Sequence, residues 1–223
     1  MGPQASTYMY STLIMLSQKY FGAKNNDDFP EIILHSIPIP DFISDSSKRE
    51  LAFEMLRKAA IQLNNSNLLC LAITCNTVHV LLKDLQAISE APFISIIDEV
   101  AKQVDKDKLK KVGLLATPST VKYALYQKAL ASNQISVIIP SKKQQSYSEK
   151  IIKNVLRGKL LKLDTERLVF IANSLKRKGA EGIILGCTEL PLIFPKKYSL
   201  PVYNSVKILA MALLQKNYKQ NTI

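Results

Sequence analysis

The sequence predicts an α/β protein of two pseudo-symmetric lobes, each a mainly parallel sheet flanked by helices, with the active site in the cleft between them. Three observations predict it. Short apolar runs alternate with amphipathic stretches along the whole chain, the pattern of parallel strands joined by helices. Two of those runs, residues 69–73 and 182–185, stop at related cysteine loops, Thr74-Cys75-Asn76-Thr77-Val78-His79 and Gly186-Cys187-Thr188-Glu189-Leu190-Pro191. The two cysteines stand 112 residues apart, half the chain. Strand exits are where α/β sheets place their chemistry. The expected lobes are residues 1–97 with 200–223, and residues 98–199.

In chain order, residues 8–21 set Tyr10, Leu13, Ile14, Met15, Leu16 and Phe21 among polar positions and predict a helix, with Ser6 or Thr7 as its cap. Residues 31–36 read as a strand, stopped by Pro38 and Pro40, which remove donors and constrain their predecessors. Residues 47–63 predict a helix with Leu51, Met55, Leu56, Ala59 and Leu63 on one side. A strand at 68–74, a helix at 77–88 and a strand at 92–97 ending at Asp98 complete the first half. The order then restarts. Residues 111–117 are a strand opening into a polar loop, Pro118-Ser119-Thr120. A helix at 121–131, a strand at 135–139 and helices at 147–156 and 164–178 follow, with Gly158 as a breaker and Gly179 as a C′ residue. Strands at 182–185 and 200–203 and a helix at 205–216 close the chain.

Composition narrows the function classes. A hydrophobic fraction of 47% with 22% charged residues is ordinary globular composition, and 223 residues can bury a sizeable core. No apolar run approaches the ~20 residues of a membrane span. The apolar start has no basic segment before it, which argues against a signal peptide. Three cysteines, an odd number, do not suggest a disulfide framework, and reduced thiols in a cytoplasm are the simplest expectation. The net charge of +12 comes from 25 Lys and 5 Arg against 18 acidic residues. Base readout and bidentate phosphate capture favour Arg, so the excess reads as a Lys-rich solvated surface rather than a nucleic-acid face. Gly-x-Gly-x-x-Gly, Walker and Gly-x-Ser-x-Gly motifs are absent and nothing marks a pyridoxal phosphate lysine, so no cofactor is expected. Two histidines give a metal site little support.

Cys75 and Cys187 carry the chemistry. A cysteine between a strand and a helix sits near free backbone N–H groups and the helix dipole, which stabilise a thiolate. One thiolate and one thiol on opposite sides of an anion pocket form a two-base device: one removes a proton from carbon, the other delivers a proton to the opposite face. The carbanion's charge passes into a carboxylate held by preorganised donors. Plainer readings stand beside these. Cys70, in mid-strand, is a small hydrophobe. His79 either polarises the thiol or packs at the helix start. Glu189 orients Cys187, meets a substrate amine or caps a helix. Thr117, Ser119 and Thr120 hold a carboxylate or make a turn.

The paired cysteine motifs resemble the signatures of the aspartate/glutamate racemase family. Met1-Gly2-Pro3-Gln4-Ala5-Ser6 resembles its glycine-rich first loop, and Val112-Gly113-Leu114-Leu115-Ala116-Thr117 the strand and loop that open its second lobe. The resemblance runs nearly end to end. It implies a cofactor-independent, two-lobed racemase, often a homodimer, acting on a small-molecule amino-acid substrate. It implies Cys75 and Cys187 as the catalytic bases and Asn76, Thr77, Thr117 and Thr188 as carboxylate contacts, with Met1, Thr120 and Glu189 added less directly. Asn204 stands where many members have aspartate. Phe42 stands where acidic-substrate members commonly have an arginine for the distal carboxylate. The resemblance therefore supports racemisation more strongly than it supports aspartate or glutamate as substrate. Superfamily relatives that isomerise, decarboxylate or racemise hydantoins are the alternative, with a catalytically silent basic binding protein on the same fold as a third reading. The half-chain repeat also calls for a counterpart of strand 111–117 leading into Met1-Gly2-Pro3. The expectation is an upstream coding stretch of about seven or eight apolar residues.

Overall fold

A computed structural model describes residues 2–40 and 46–220. The expectations for Met1 and Phe42 lie outside the described residues. The first helix, α1 (Pro3–Phe21), starts earlier than the periodicity indicates. Pro3 occupies its first turn, where a missing N–H costs nothing, and Gly2 is the N-cap. Ser6 and Thr7 lie inside the helix rather than at its cap, and Thr7 Oγ1 donates to the Pro3 carbonyl. Gly22, at φ 76°, closes it in the left-handed conformation that glycine adopts without strain.

Residues 31–36 form no strand, contrary to the sequence reading. Alternation makes a strand only where a ladder partner exists, and these residues face a groove instead. Helix α2 (Arg49–Asn64) follows, burying Ala52, Leu56, Ala59 and Ala60, while Leu51 turns outward. Strand β1 is short (Leu71–Ala72). Past the first cysteine loop the chain makes a 3-10 turn at Thr77–Leu81 and then the five-residue helix α3 (Leu82–Gln86). Strand β2 (Phe93–Ile94) pairs parallel with β1.

The apolar stretch read as a strand to residue 97 in fact changes structure at Ser95. That side chain accepts the Asp98 N–H at 3.2 Å and caps α4 (Ile96–Lys106). Ile96, Ile97, Val100, Ala101 and Val104 fall on one helical face and are buried, so Asp98 begins a helix instead of ending a strand.

The second half is more regular. Strand β3 (Lys111–Ala116) leads through Thr117 into α5 (Pro118–Lys122) and α6 (Leu125–Ala131). The expected loop 118–120 is a helical turn, because Thr117 Oγ1 accepts the Thr120 N–H and Pro118 sits at N1. Next come β4 (Ser136–Ile138), α7 (Lys142–Leu156), α8 (Lys162–Arg177), β5 (Gly182–Gly186), β6 (Val202–Asn204) and α9 (Ser205–Gln220).

All pairings among the described strands are parallel. β1 and β2 form one sheet, and the other has the order β4-β3-β5-β6. The boundary expected at residue 98 thus falls within α4, and β6, expected with the first lobe, is paired with β5. Along β3, Val112, Leu114 and Ala116 enter the core beneath α1, α4, α6 and α9, while Leu115 enters the core beneath α7 and α8. A sheet buried on both faces needs continuous apolar strands, which is why β3 and β5 stand out in the sequence. A third core joins α2, Ile73 and the turn after Cys75. The register sets Ala116 beside Gly186, so Thr117 and Cys187 leave the sheet side by side.

Candidate active site

Cys75 lies three residues past β1. Its N–H donates to the Ile73 carbonyl at 2.9 Å, turning the chain out of the sheet. His79 holds the loop from below. The Ile96 N–H donates to Nε2 at 3.1 Å, so the ring carries its proton on Nδ1, which donates to the Cys75 carbonyl at 2.8 Å. Burial drives the His79 pKa down to about 4, against the smaller pull of that carbonyl and of Asp98. His79 is therefore a neutral strut between the Cys75 loop and the start of α4, and does not polarise the thiol. The sign of the linkage follows. A folded pKa below the ordinary 6.5 gives stability that is complete above pH 6.5 and is lost as pH falls toward 4, on the order of 3 kcal/mol. Urea melts at pH 7 and pH 4.5 should show that loss in the wild type. His79→Gln, without a titrating ring, should show a flatter profile.

Asn76 is buried, and its orientation is determined by two residues that sequence reading passed over. Tyr126, wholly buried on α6, donates its hydroxyl to Asn76 Oδ1 at 2.6 Å. Asn76 Nδ2 donates to Ser205 Oγ at 3.3 Å, and Ser205 donates to the Leu185 carbonyl at 2.8 Å. That chain of bonds ties the first cysteine loop to the strand that ends at the second. Tyr126 comes this close because β5 ends in glycine: a Cβ on Gly186 would sit 2.9 Å from the Tyr126 ring and 2.8 Å from Leu114 Cδ1.

Thr77, Thr117 and Thr120 are buried and mutually bonded. Thr77 Oγ1 is 2.8 Å from Thr117 Oγ1 and 2.9 Å from Thr120 Oγ1, which are 2.9 Å from each other. Two segments 40 residues apart thus meet in one cluster of hydroxyls.

Cys187 is 6% exposed and follows β5 directly. Its Sγ–H donates to Glu189 Oε2 at 3.0 Å, and Thr188 Oγ1 donates to the same oxygen at 2.9 Å. The Leu190 N–H closes the turn on the Cys187 carbonyl at 3.1 Å. Both thiols are less acidic than helix-terminus reasoning indicates. The N–H groups of Val78 and Thr77 do favour a Cys75 thiolate, but desolvation outweighs them and, with the charge of Glu189, pushes Cys75 up to about 11. Burial, then the charge and hydrogen bond of Glu189, raise Cys187 well above its usual range, and Cys75 adds to the rise.

Eight of the nine residues singled out in the sequence, all but Met1, are described: Thr77 bonds Thr117 and Thr120 across the two halves, Cys187 and Thr188 share Glu189, and Asn76 bonds Tyr126 and Ser205. Asn204 stands apart, accepting the Lys207 N–H at 3.1 Å and donating to Tyr8 Oη at 2.8 Å. Among the described residues no group of three or more His, Cys, Asp or Glu is placed to hold a metal, and no helix is long and apolar enough to cross a membrane.

Residues 1–213 match the profile of the Asp/Glu/hydantoin racemase family. The chain belongs to that family. Among its relatives is the broad specificity amino-acid racemase RacX of Bacillus subtilis, 28% identical over 94% of this chain and 92% of the relative. The aspartate racemase of Picrophilus torridus superposes with a TM-score of 0.84 at 28% identity, covering 96% of this chain and 90% of its own. An aspartate racemase homologue from Pyrococcus horikoshii gives 0.79 at 30% identity, covering 96% and 93%. Membership agrees with the fold, since these two-lobed relatives share the parallel sheets and flanking helices described above.

Proposed function

We propose that this protein is an amino-acid racemase in which Cys75 and Cys187 exchange protons with opposite faces of the α-carbon. The observation that carries the reading is that two cysteines, each just past a strand end in a different half of the chain, adjoin buried polar groups: Thr77, two residues after Cys75, bonds Thr117 and Thr120 of the other half, and Cys187 and Thr188 share Glu189. In one direction the Cys75 thiolate takes the α-proton as the C–H bond breaks. The electron pair passes into the carboxylate, and the Cys187 thiol supplies a proton to the other face. In the reverse direction the sulfurs exchange roles: Glu189 first takes the proton of the resting Cys187 thiol through the hydrogen bond already present, the Cys187 thiolate removes the α-proton, and the Cys75 thiol delivers its proton to the other face. Asn76, Thr77, Thr117, Thr120 and Thr188 supply neutral donors for the carboxylate on which charge develops. This set contains one carboxylate and no cation, which suits amino acids without a second acidic group. The mechanism needs only thiols and hydrogen bonds, and it requires reduced cysteines, consistent with a cytoplasmic enzyme. A homodimer is part of the same reading, and sedimentation at micromolar concentration would test it.

Single enantiomers of common amino acids incubated in heavy water are expected to lose the α-proton signal and optical rotation together. Exchange and inversion of 5-substituted hydantoins alone would move the assignment to a hydantoin racemase. Inactivity on both classes with salt-sensitive polyanion binding would favour the binding protein. The thiols also set a pH dependence. With Cys75 at about 11, only about 10⁻³ of molecules carry its thiolate at pH 8. For the enantiomer deprotonated by Cys75, log kcat/KM should rise with a slope near one between pH 7 and 9. A flat profile would show that this thiol is not the base.

A further inference from the structure

We propose that Gln145, on the inner face of α7, determines substrate class: its side-chain oxygen accepts a hydrogen bond from the α-ammonium group, and so selects amino acids over other carboxylic acids. The proposal rests on the racemase reading, and within it on the threonine hydroxyls as the carboxylate seat.

Helix α7 reaches both ends of the site. Near its start Gln145 Nε2 donates to the carbonyl of Ala116 at 2.8 Å, at the end of β3 and one residue before Thr117. At its far end Leu156 approaches Glu189: Leu156 Cδ2 and Glu189 Oε1 lie 2.9 and 3.1 Å from the one point that a Cβ on Gly2 would occupy. Between these ends one stripe of the helix changes character. Ile152 and Val155 are apolar and join the core beneath α7 and α8. One and two turns earlier the same stripe carries Ser148 and Gln145.

The polar end of the stripe is short of donors. Gln145 Oε1 and Ser148 Oγ are both buried, and neither has a hydrogen-bond partner among the described residues. The direction of the amide is fixed by its partner. A carbonyl only accepts, so the NH2 faces Ala116 and the oxygen faces away from it. Burying an oxygen without a donor costs stability, and such atoms in a folded protein call for a functional explanation. Both are enclosed, as Thr117, Thr120 and Cys187 are, so a substrate meets the whole set by parting the first half of the chain from it.

The missing partner is a donor, and the carboxylate seat tells which. A carboxylate on Thr117 places the rest of the substrate within reach of the residue that holds the neighbouring Ala116 carbonyl. The donor common to all α-amino acids is the ammonium, one carbon from the carboxylate, with three protons to give. Glu189 is already engaged, since Oε2 accepts from Cys187 and Thr188. A neutral acceptor also suits the reaction. A carboxylate would offset the ammonium's charge, whereas an amide oxygen orients the group and leaves its field acting on the α-carbon, where the electron pair develops. The same charge favours thiolates in a site where burial and Glu189 disfavour them.

The test uses two pairs of probes that differ only in the amino group: L-alanine with propanoate, and L-leucine with 4-methylpentanoate. Each is titrated as a protector of Cys75 and Cys187 against iodoacetamide at pH 8.5, read by mass spectrometry on the full chain. In the wild type each amino acid should half-protect at a concentration about 10-fold below that of its acid. Gln145→Met keeps the side chain's length and removes the oxygen. It should raise the half-protecting concentration of the amino acids about 10-fold and leave that of the acids within about two-fold. A side chain that only braced Ala116, and Thr117 through it, would shift acids and amino acids alike, and that result overturns the proposal. If the variant is not recovered folded, the side-chain NH2 resonances of Gln145 are followed by NMR in the wild type. Movement with the amino acids alone supports the proposal, and equal movement with the acids overturns it. Equal protection within each pair in the wild type overturns the ammonium acceptor alone. Protection by none of the four overturns the carboxylate seat and the proposal with it, so the two readings fail separately.

Discussion

Replacing Cys75 or Cys187 by serine should each lower racemisation by about 10³-fold, the scale of a lost general acid or base. Neither change should unfold the protein. Cys75 is half-buried, and a serine hydroxyl at 187 can donate to Glu189 as the Cys187 thiol now does. The informative result is the asymmetry. A variant with one thiol left should still exchange the α-proton of a single enantiomer for solvent deuterium, because the remaining sulfur removes the proton and returns deuterium to the same face. The Cys75→Ser and Cys187→Ser variants should select opposite enantiomers. Proton NMR and chiral chromatography on the same samples read both quantities. Full racemase activity in Cys75→Ser would sink the two-thiol mechanism. Cys70→Ser is the control, since Cys70 lines the apolar groove and belongs to no bond in the cluster.

Glu189→Gln should produce two changes that move in opposite directions. Loss of the proton acceptor beside Cys187 should lower kcat by about 10²-fold, measured with the enantiomer that Cys187 deprotonates. The carboxylate also raises both thiols by its charge, so its removal should make them more acidic. Alkylation of Cys75 by iodoacetamide, followed against pH, should then show a midpoint below about 11. A slower enzyme with more acidic thiols is hard to explain by general damage to the fold. Unchanged kcat together with an unchanged alkylation midpoint would remove Glu189 from the mechanism.

Signals carried along a single stretch of chain were legible before the structure. β3 and β5 are buried on both faces, so their apolar runs and the cysteine loops after them were plain. Residues 31–36 show the reverse: their alternation is a local signal, whereas pairing depends on what lies alongside. Helix α4 was missed because Ile94, Ile96 and Ile97 read as one apolar run, and the cap at Ser95 lies inside it. Tyr126 and Ser205 had no signal at all. They reach Asn76 from 50 and 129 residues away, and nothing in the spacing relates those positions. The acidity of the thiols was misjudged for a related reason. The amides near Cys75 are local and were anticipated, but the enclosure that outweighs them is assembled from the whole fold.

The three threonine hydroxyls have a consequence for what the enzyme admits. Thr77, Thr117 and Thr120 own three protons and make three contacts, so in the resting ring each proton is already committed to a neighbour. A ligand gains a donor only by turning a hydroxyl out of that circle. A carboxylate can compensate for the broken contact with a shorter, charge-assisted bond, whereas an amide or alcohol replaces one neutral bond with another. If the ring is the carboxylate seat proposed above, it sets a threshold for entry that favours anions although it holds no positive charge. Thr77 comes from one half of the chain and Thr117 and Thr120 from the other. On that proposal, the rotation that admits an anion would also loosen the Thr77–Thr117/Thr120 contacts between the halves, and would link occupancy to the freedom of the halves to move.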